Sequence, residues 1–307
     1  AALLAKFLRA HRPEGAPGAR GLRVAVLARN SHRVMELHFA AARARAAVVN
    51  CNTGATPKEL AFVLADSGAR VLFADPEFAG AVEALAPLVP GLKSVVWCGG
   101  GRAGGEGGSG PGSRSPGGLP GAGLGALSGV HQSQYRRIVR RARRKHSPPG
   151  RLLSDDGAPP PRPGGARGGG GGRLRAAEEG DFPFQIYFTS GTTGTPKRVE
   201  LTHHQIVSHA MGVCRESRLR GGDCWGHFAP IFHLVDAFAM FALTRVGGRH
   251  VFLPRFDALS CFRAVEREGV TCSNVASTML TLMVNSPASA FFDLSTLRLL
   301  SCGGSHQ

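Results

Sequence analysis

Hydrophobic positions along the chain fall into two rhythms separated by a stretch with neither. From Leu22 to Ala28 (LRVAVLA) nearly every residue is apolar, which predicts a strand buried on both faces. Asn30 is placed to cap a following helix, with Val34, Leu37 and Ala41 on one side of it. Ala46–Val49 predicts a second strand, and Asn50–Thr56 a loop. Pro57 opens a helix whose inner face carries Leu60, Val63 and Leu64, and Gly68 closes it. Arg70–Ala74 predicts a strand, Phe78–Leu88 a helix and Ser94–Cys98 another strand. Strands alternating with helices of about ten residues predict a largely parallel sheet wrapped by helices.

The rhythm returns at Phe184–Phe188 (FQIYF), followed by a short strand at Arg198–Leu201. Thr202 with Gln205 forms a capping box for a helix bearing Ile206, Ala210 and Val213. A strand at Gly248–Leu253, a helix at Ala258–Arg267 closed by Gly269, a strand at Val270–Val275, a helix over 277–285 and a strand at Leu297–Ser301 complete the series. The chain then stops at Gly303-Gly304-Ser305-His306-Gln307, which reads as a truncated domain. It also begins without a methionine, which leaves room for a targeting segment upstream. Ala1–Arg12, broken by Lys6, Arg9 and Arg12, is no secretory signal.

Residues 99–180 have nothing comparable to bury. The segment from 99 to 176 holds 24 of the 43 glycines and 14 of the 37 Lys and Arg residues against three acids. The expected organisation is a first α/β lobe over 1–98, a disordered Gly/Pro/Arg-rich insert over 99–180, and a second lobe over 181–307. The net charge of +16 is thus mostly a property of the insert. Its basic tract, Gln134–Lys145, has a single aromatic residue, Tyr135, and no platform for stacked bases, so a nucleic-acid partner is not expected. No apolar run reaches the ~18–20 residues of a membrane span. Seven cysteines without zinc-type spacing predict reduced thiols and an intracellular, cytoplasmic or organellar, setting.

The strongest chemical signal is Thr189-Ser190-Gly191-Thr192-Thr193-Gly194-Thr195-Pro196-Lys197, directly after a predicted strand. Glycines let backbone N–H groups approach phosphate oxygens, hydroxyls add donors, and Lys197 adds a cation. The order of residues is not that of a Walker loop, because Pro196 precedes the lysine and Arg198 follows it.

This loop resembles the phosphate loop of the adenylate-forming enzymes, which include acyl-CoA synthetases, 4-coumarate–CoA ligases, luciferases and peptide-synthetase adenylation domains. Further likenesses follow in order: Ala229-Pro230-Ile231-Phe232-His233, Phe252-Leu253-Pro254-Arg255-Phe256-Asp257 and Ser301-Cys302-Gly303-Gly304-Ser305. Ala61–Ala74 is typical of the same enzymes' first lobe. The resemblance spans roughly 20–98 and 181–307. It implies an α/β fold like the N-terminal domain of those enzymes, with mixed and parallel sheets and flanking helices. It also implies ATP with Mg²⁺, a fatty or aromatic carboxylic acid, and coenzyme A as co-substrate.

By the same resemblance Thr189, Ser190, Gly191, Thr192, Thr193 and Gly194 wrap the β- and γ-phosphates, and Lys197 neutralises the departing pyrophosphate. His233 stands between the acid and the α-phosphate, while Gly303, Gly304 and Ser305 line the adenylate. Two residues depart from the pattern. Arg198 follows the lysine where glycine is usual, and Asp236 stands where glycine often follows the histidine by three. Both are expected to bring bulk and charge near the site. Several expected parts do not occur before Gln307: the Tyr-Gly-x-Thr-Glu segment, the Thr-Gly-Asp segment and a small C-terminal domain. A non-catalytic nucleotide-binding remnant, or a binder of nucleic acid or anionic surfaces through Arg136–Lys145, are the alternative readings.

Overall fold

The computed structural model describes residues 1–11, 21–98, 127, 130–139, 182–189 and 196–303. Two sheets organise them. The first has seven strands in the order β5-β4-β3-β1-β2-β6-β7. These are β1 (Arg23–Leu27), β2 (Ala47–Asn50), β3 (Val71–Ala74), β4 (Ser94–Trp97), β5 (His131–Gln134), β6 (Pro183–Thr189) and β7 (Lys197–Thr202). All neighbours run parallel except β6 and β7, which form an antiparallel pair. The second sheet is wholly parallel: β8 (Cys224–His227), β9 (Arg249–Phe252), β10 (Cys272–Val275) and β11 (Leu299–Cys302), in the order β11-β10-β8-β9.

Local chemistry explains the elements. β2, β3 and β4 are buried at every position, so they read as unbroken apolar runs. α1 (Ala2–Arg9) seats Leu4 and Leu8 in the core, beside α2 (His32–Ala44). α3 (Pro57–Ser67) starts at a full capping box, Thr56 with Glu59, and ends at Gly68, whose φ of +67° suits glycine. α4 (Ala79–Leu85) is flanked by short 3₁₀ turns where the sequence predicts one continuous helix. α5 (His203–Glu216) carries the predicted Thr202–Gln205 box. α7 (Ala258–Glu268) is capped by Asp257 and closed by Gly269, and α8 (Ser277–Val284) follows β10.

Three features differ from the sequence reading. First, β6 and β7 complete the seven-stranded sheet beside β2, so that sheet crosses the insert and the sheets part company after residue 202. Second, the insert contributes structure. β5 adds an edge to β4, Trp97 Nε1 donates to Gln132 at 3.2 Å, and Leu127 and Tyr135 are buried. Strand β5 (HQSQ) has no apolar residue, so no pattern marks it. Third, β8 and α6 (Leu234–Val246) go unread in the sequence. The α6 segment, LVDAFAMFALTRV, is apolar on most faces because it is buried on most faces, and it shows no helical period.

The second sheet is stapled at its N-terminal edge. The Asp223 carboxylate accepts from Arg298 Nε at 3.0 Å and Nη2 at 2.7 Å, from Arg220 N at 2.8 Å and from Thr271 Oγ1 at 3.0 Å. These donors, Arg298 first, hold the Asp223 pKa down to about 2. A depressed folded-state pKa stabilises above the unfolded value of about 3.9, and the contribution disappears as pH falls from about 4 towards 2. Arg298→Ala is therefore expected to cost on the order of 2 kcal/mol at pH 7. Denaturant melts of both proteins at pH 7 and pH 2.5 check this. The gap should shrink at the lower pH, and an equal gap at both would contradict it.

Candidate functional site

The candidate residues lie along the edge formed by the carboxyl ends of the parallel strands, where the antiparallel β7 begins. Parallel strands expose their C-terminal ends along one edge, where crevices for ligands form. Thr189 is the last residue of β6 and Lys197 the first of β7. They are cross-strand partners, with Thr189 Oγ1 donating to the Lys197 carbonyl at 3.5 Å. The Gly/Thr segment is thus the connection of a hairpin, and both of its flanking residues are exposed. Ser190, Gly191, Thr192, Thr193 and Gly194 lie outside the described residues.

Arg198 points away from Lys197, as alternate strand residues do. Its guanidinium bonds Asp66 at 3.1 Å, at the end of α3, and lies 3.4 Å from Glu200. The expected extra charge at the phosphate loop is therefore spent on anchoring β7.

His233 is the N-cap residue of α6, beyond the C-terminal end of β8. Its ring lies 4.4 Å from that of Phe232; the residue is exposed, and partial desolvation of the ring by its surroundings lowers its pKa below the usual histidine value. The imidazole is accordingly neutral near pH 7, able to donate at one nitrogen and accept at the other. Gly303 follows β11 at the same edge, and its N–H bonds the Val275 carbonyl at 3.2 Å. Gly304 and Ser305 lie outside the described residues.

One side chain holds the two edges together. Asn30, at the end of β1, is buried and points across to the second sheet. Its Nδ2 donates to the carbonyls of His227 (3.1 Å) and Ala229 (2.7 Å), and its Oδ1 accepts from Ile231 N at 2.9 Å. The expected role of Asn30 as helix cap is corrected: Ser31 is the N-cap of α2, and no side chain caps it. Every hydrogen-bonding group of the Asn30 amide is directed at the segment leading to His233. A second tie lies nearby, where Glu77 pairs with both Arg29 after β1 and Arg255 after β9. Between the ties is a cavity of about 230 Å³, lined by Arg29, Asn30, Thr53, Pro230 and Arg255 among others.

The hairpin and the His233 helix also meet around a larger apolar cavity of about 380 Å³. Gln185 and Leu201 line it from β6 and β7, Ile206 from α5, and Leu234, Phe238 and Phe241 from α6. Leu234 is the residue next to His233. The cavity is thus lined by both strands of the hairpin and by the helix that His233 caps, while Thr189 and Lys197, at the loop end of the hairpin, lie four residues along their strands from Gln185 and Leu201.

Residues 1–306 match the sequence pattern of AMP-binding enzymes. The chain belongs to the AMP-binding enzyme family. Among curated relatives, it is 35% identical over 126 residues to 4-coumarate–CoA ligase-like 9 of Arabidopsis thaliana, covering 40% of this chain and 22% of that protein. It is 34% identical over 119 residues to 2-succinylbenzoate–CoA ligase of Bacillus mycoides (strain KBAB4), covering 39% of this chain and 24% of that one. Among solved structures, the anthranilate CoA ligase AuaEII in complex with anthranoyl-AMP superposes with a TM-score of 0.67 at 21% identity, covering 98% of this chain and 48% of that one. These matches span about a quarter of the curated relatives and about half of the solved structure. The fold of this AMP-binding chain is that of the N-terminal domain of adenylate-forming enzymes, as the sequence reading expects.

All seven cysteines are unpaired. Among the described residues no helix is long and apolar enough to cross a membrane. Of the basic tract, only Gln134–Val139 falls within the described residues.

Proposed function

We propose that this chain grips the triphosphate of ATP with the Thr189–Lys197 hairpin and activates a fatty or aromatic carboxylic acid as its acyl-adenylate. Coenzyme A then takes the acyl group as a thioester. What carries the reading is that both strands of the hairpin, β6 and β7, line one apolar cavity together with α5 and with α6, the helix that His233 caps.

In the first step a carboxylate oxygen attacks the α-phosphorus and the bond to the pyrophosphate oxygen breaks. In the second the thiol sulfur attacks the acyl carbon, AMP leaves, and the thiol proton passes to solvent. The protein's task in both is positioning and stabilisation of phosphate charge. The Lys197 ammonium is an exposed cation at the mouth of the loop, fitted to the oxygens of the leaving pyrophosphate. His233, neutral, is fitted to donate a hydrogen bond to the reacting carboxylate or α-phosphate. Magnesium brings further positive charge to the phosphates. Gly303 offers backbone close to the adenylate.

The acid's body belongs in the apolar cavity, whose lining favours a fatty or aromatic chain over the charged backbone of an amino acid. The test is pyrophosphate release from ATP·Mg²⁺ with a panel of fatty, cinnamic-type and amino acids. Release that depends on the acid and favours the first two classes is expected. Release indifferent to the acid, or favouring amino acids, would contradict the reading.

A further inference from the structure

Asp236 is the one acid in the first turn of α6, three residues after His233, and it is fully buried. The resemblance to adenylate-forming enzymes puts glycine there. A bare carboxylate in such a place costs several kcal/mol unless it is paired and hydrogen-bonded. Here it is both. Oδ1 accepts from Trp225 Nε1 at 2.9 Å, and Oδ2 lies 2.8 Å from His227 Nδ1. His227 is also fully buried. Its Nε2 lies 2.9 Å from His250 Nδ1, and His250 Nε2 lies 3.1 Å from Thr244 Oγ1 on the exposed side of α6. The His227 and His250 rings stack with centroids 5.2 Å apart and planes 9° from parallel.

The two ends of the chain fix its donors. The Thr244 hydroxyl donates to the Met240 carbonyl at 2.6 Å, so its oxygen accepts from His250 Nε2–H; His250 Nδ1 then accepts from His227 Nε2–H, and Asp236 accepts from His227 Nδ1–H and from the indole N–H. Burial, aided by His227, holds the His250 pKa down to about 4, so that ring is neutral and supplies one donor and one acceptor. The carboxylate itself sits in the first turn of a helix, where the unpaired peptide N–H groups favour negative charge. Two further bonds hold the same turn. Asn274 Nδ2 donates to the Val235 carbonyl, and Ser301 Oγ donates to Asn274 Oδ1 at 2.7 Å, two residues before Gly303.

We propose that Asp236 is a positioning residue for His233. Trp225 and His227 clamp its carboxylate to β8, and this fixes the rotation of the first turn of α6. That rotation sets the direction in which the His233 imidazole leaves the helix N-terminus and in which Leu234 faces the acid cavity. The substitution expected to crowd the site is instead turned inward and made into its support. The catalytic part of this inference rests on the function proposed above; the placement of His233 does not.

The test uses the full chain and the variants Asp236→Asn and Trp225→Phe. Asparagine keeps the size and the acceptor for Trp225, but it sets an N–H₂ group against His227. His227 must then turn an unprotonated Nδ1 towards that group, visible in ¹⁵N spectra of labelled histidines. The expected result is a folded protein whose ATP affinity stays within about twofold, while the His233 resonance and its titration midpoint both move. Trp225→Phe removes one of the two clamps, keeps an aromatic ring, and should move His233 less. Adenylation should lose kcat on the order of 10- to 100-fold with KM for ATP unchanged. An unmoved His233 in whichever variant folds would overturn the proposal. Failure of the wild-type chain to release pyrophosphate with any acid would instead count against the function, and the His233 spectra would still decide the positioning role.

Discussion

Asn30→Ala is expected to destabilise the protein by about 3–5 kcal/mol, among the larger effects a single substitution produces here. The wild-type amide spends two N–H donors on the carbonyls of His227 and Ala229, and its oxygen on the N–H of Ile231. Asn30 is buried, so alanine leaves three backbone groups facing a small apolar hole. Each group left unsatisfied costs roughly 1–3 kcal/mol, reduced where water can enter. The effect should reach beyond stability, because these bonds join the edge of the first sheet to the chain leading into His233. Asn30→Asp sharpens the test. It retains an acceptor for Ile231 but turns a carboxylate oxygen towards two carbonyls, and it should be no better than alanine at neutral pH. Urea or guanidinium unfolding measures both. A loss below about 1 kcal/mol for alanine would show that this amide does not hold the sheets together.

The sequence carried much of this fold because most elements obey a single period. Strands such as VLFA at β3 and helices with explicit caps, Thr56 with Glu59 and Thr202 with Gln205, are legible because local chemistry and burial agree. Legibility fails where burial is uniform or where pairing alone makes the element. Helix α6 hides its period by being apolar on most sides, and β5 is a polar strand held by its neighbour β4. The phosphate loop, the histidine and the glycine turn were all visible as motifs, although only Thr189, Lys197, His233 and Gly303 of them fall within the described residues. What supports them was not visible. Asn30 has the right type and place for a helix cap, and nothing in the sequence says that its partner lies about 200 residues away. Asp236 and Arg198 looked like intrusions because their compensating partners, His227 with Trp225 and Asp66, come from other elements. Departures from a pattern are readable as departures; their resolution is a property of the packed chain.

Lys197→Ala is expected to weaken ATP binding by roughly 10- to 100-fold, the equivalent of one charge-assisted hydrogen bond of about 1.5–3 kcal/mol. Lys197 opens β7 directly across from Thr189, which closes β6, so its ammonium is tethered to a rigid antiparallel pair at the base of the Gly/Thr segment. With its backbone fixed there, the exposed lysine has only its own side chain to order when it meets the phosphates. Lys145 belongs to the basic tract of the insert, among Arg140, Arg141, Arg143 and Arg144, and it offers charge without a glycine loop beside it. Lys197→Arg should recover part of the loss, since charge is kept but the point-like ammonium becomes a planar fork. Raising the salt should weaken any contribution of the exposed insert more than that of the hairpin. The most direct test of the whole account is calorimetric titration of ATP·Mg²⁺ into the wild-type chain, Lys197→Ala and Lys145→Ala under one set of conditions. Saturable binding is expected, weakened at least about tenfold by Lys197→Ala and left nearly unchanged by Lys145→Ala. Equal losses in the two variants would place nucleotide binding in the basic insert and contradict the assignment of the phosphate grip to the hairpin.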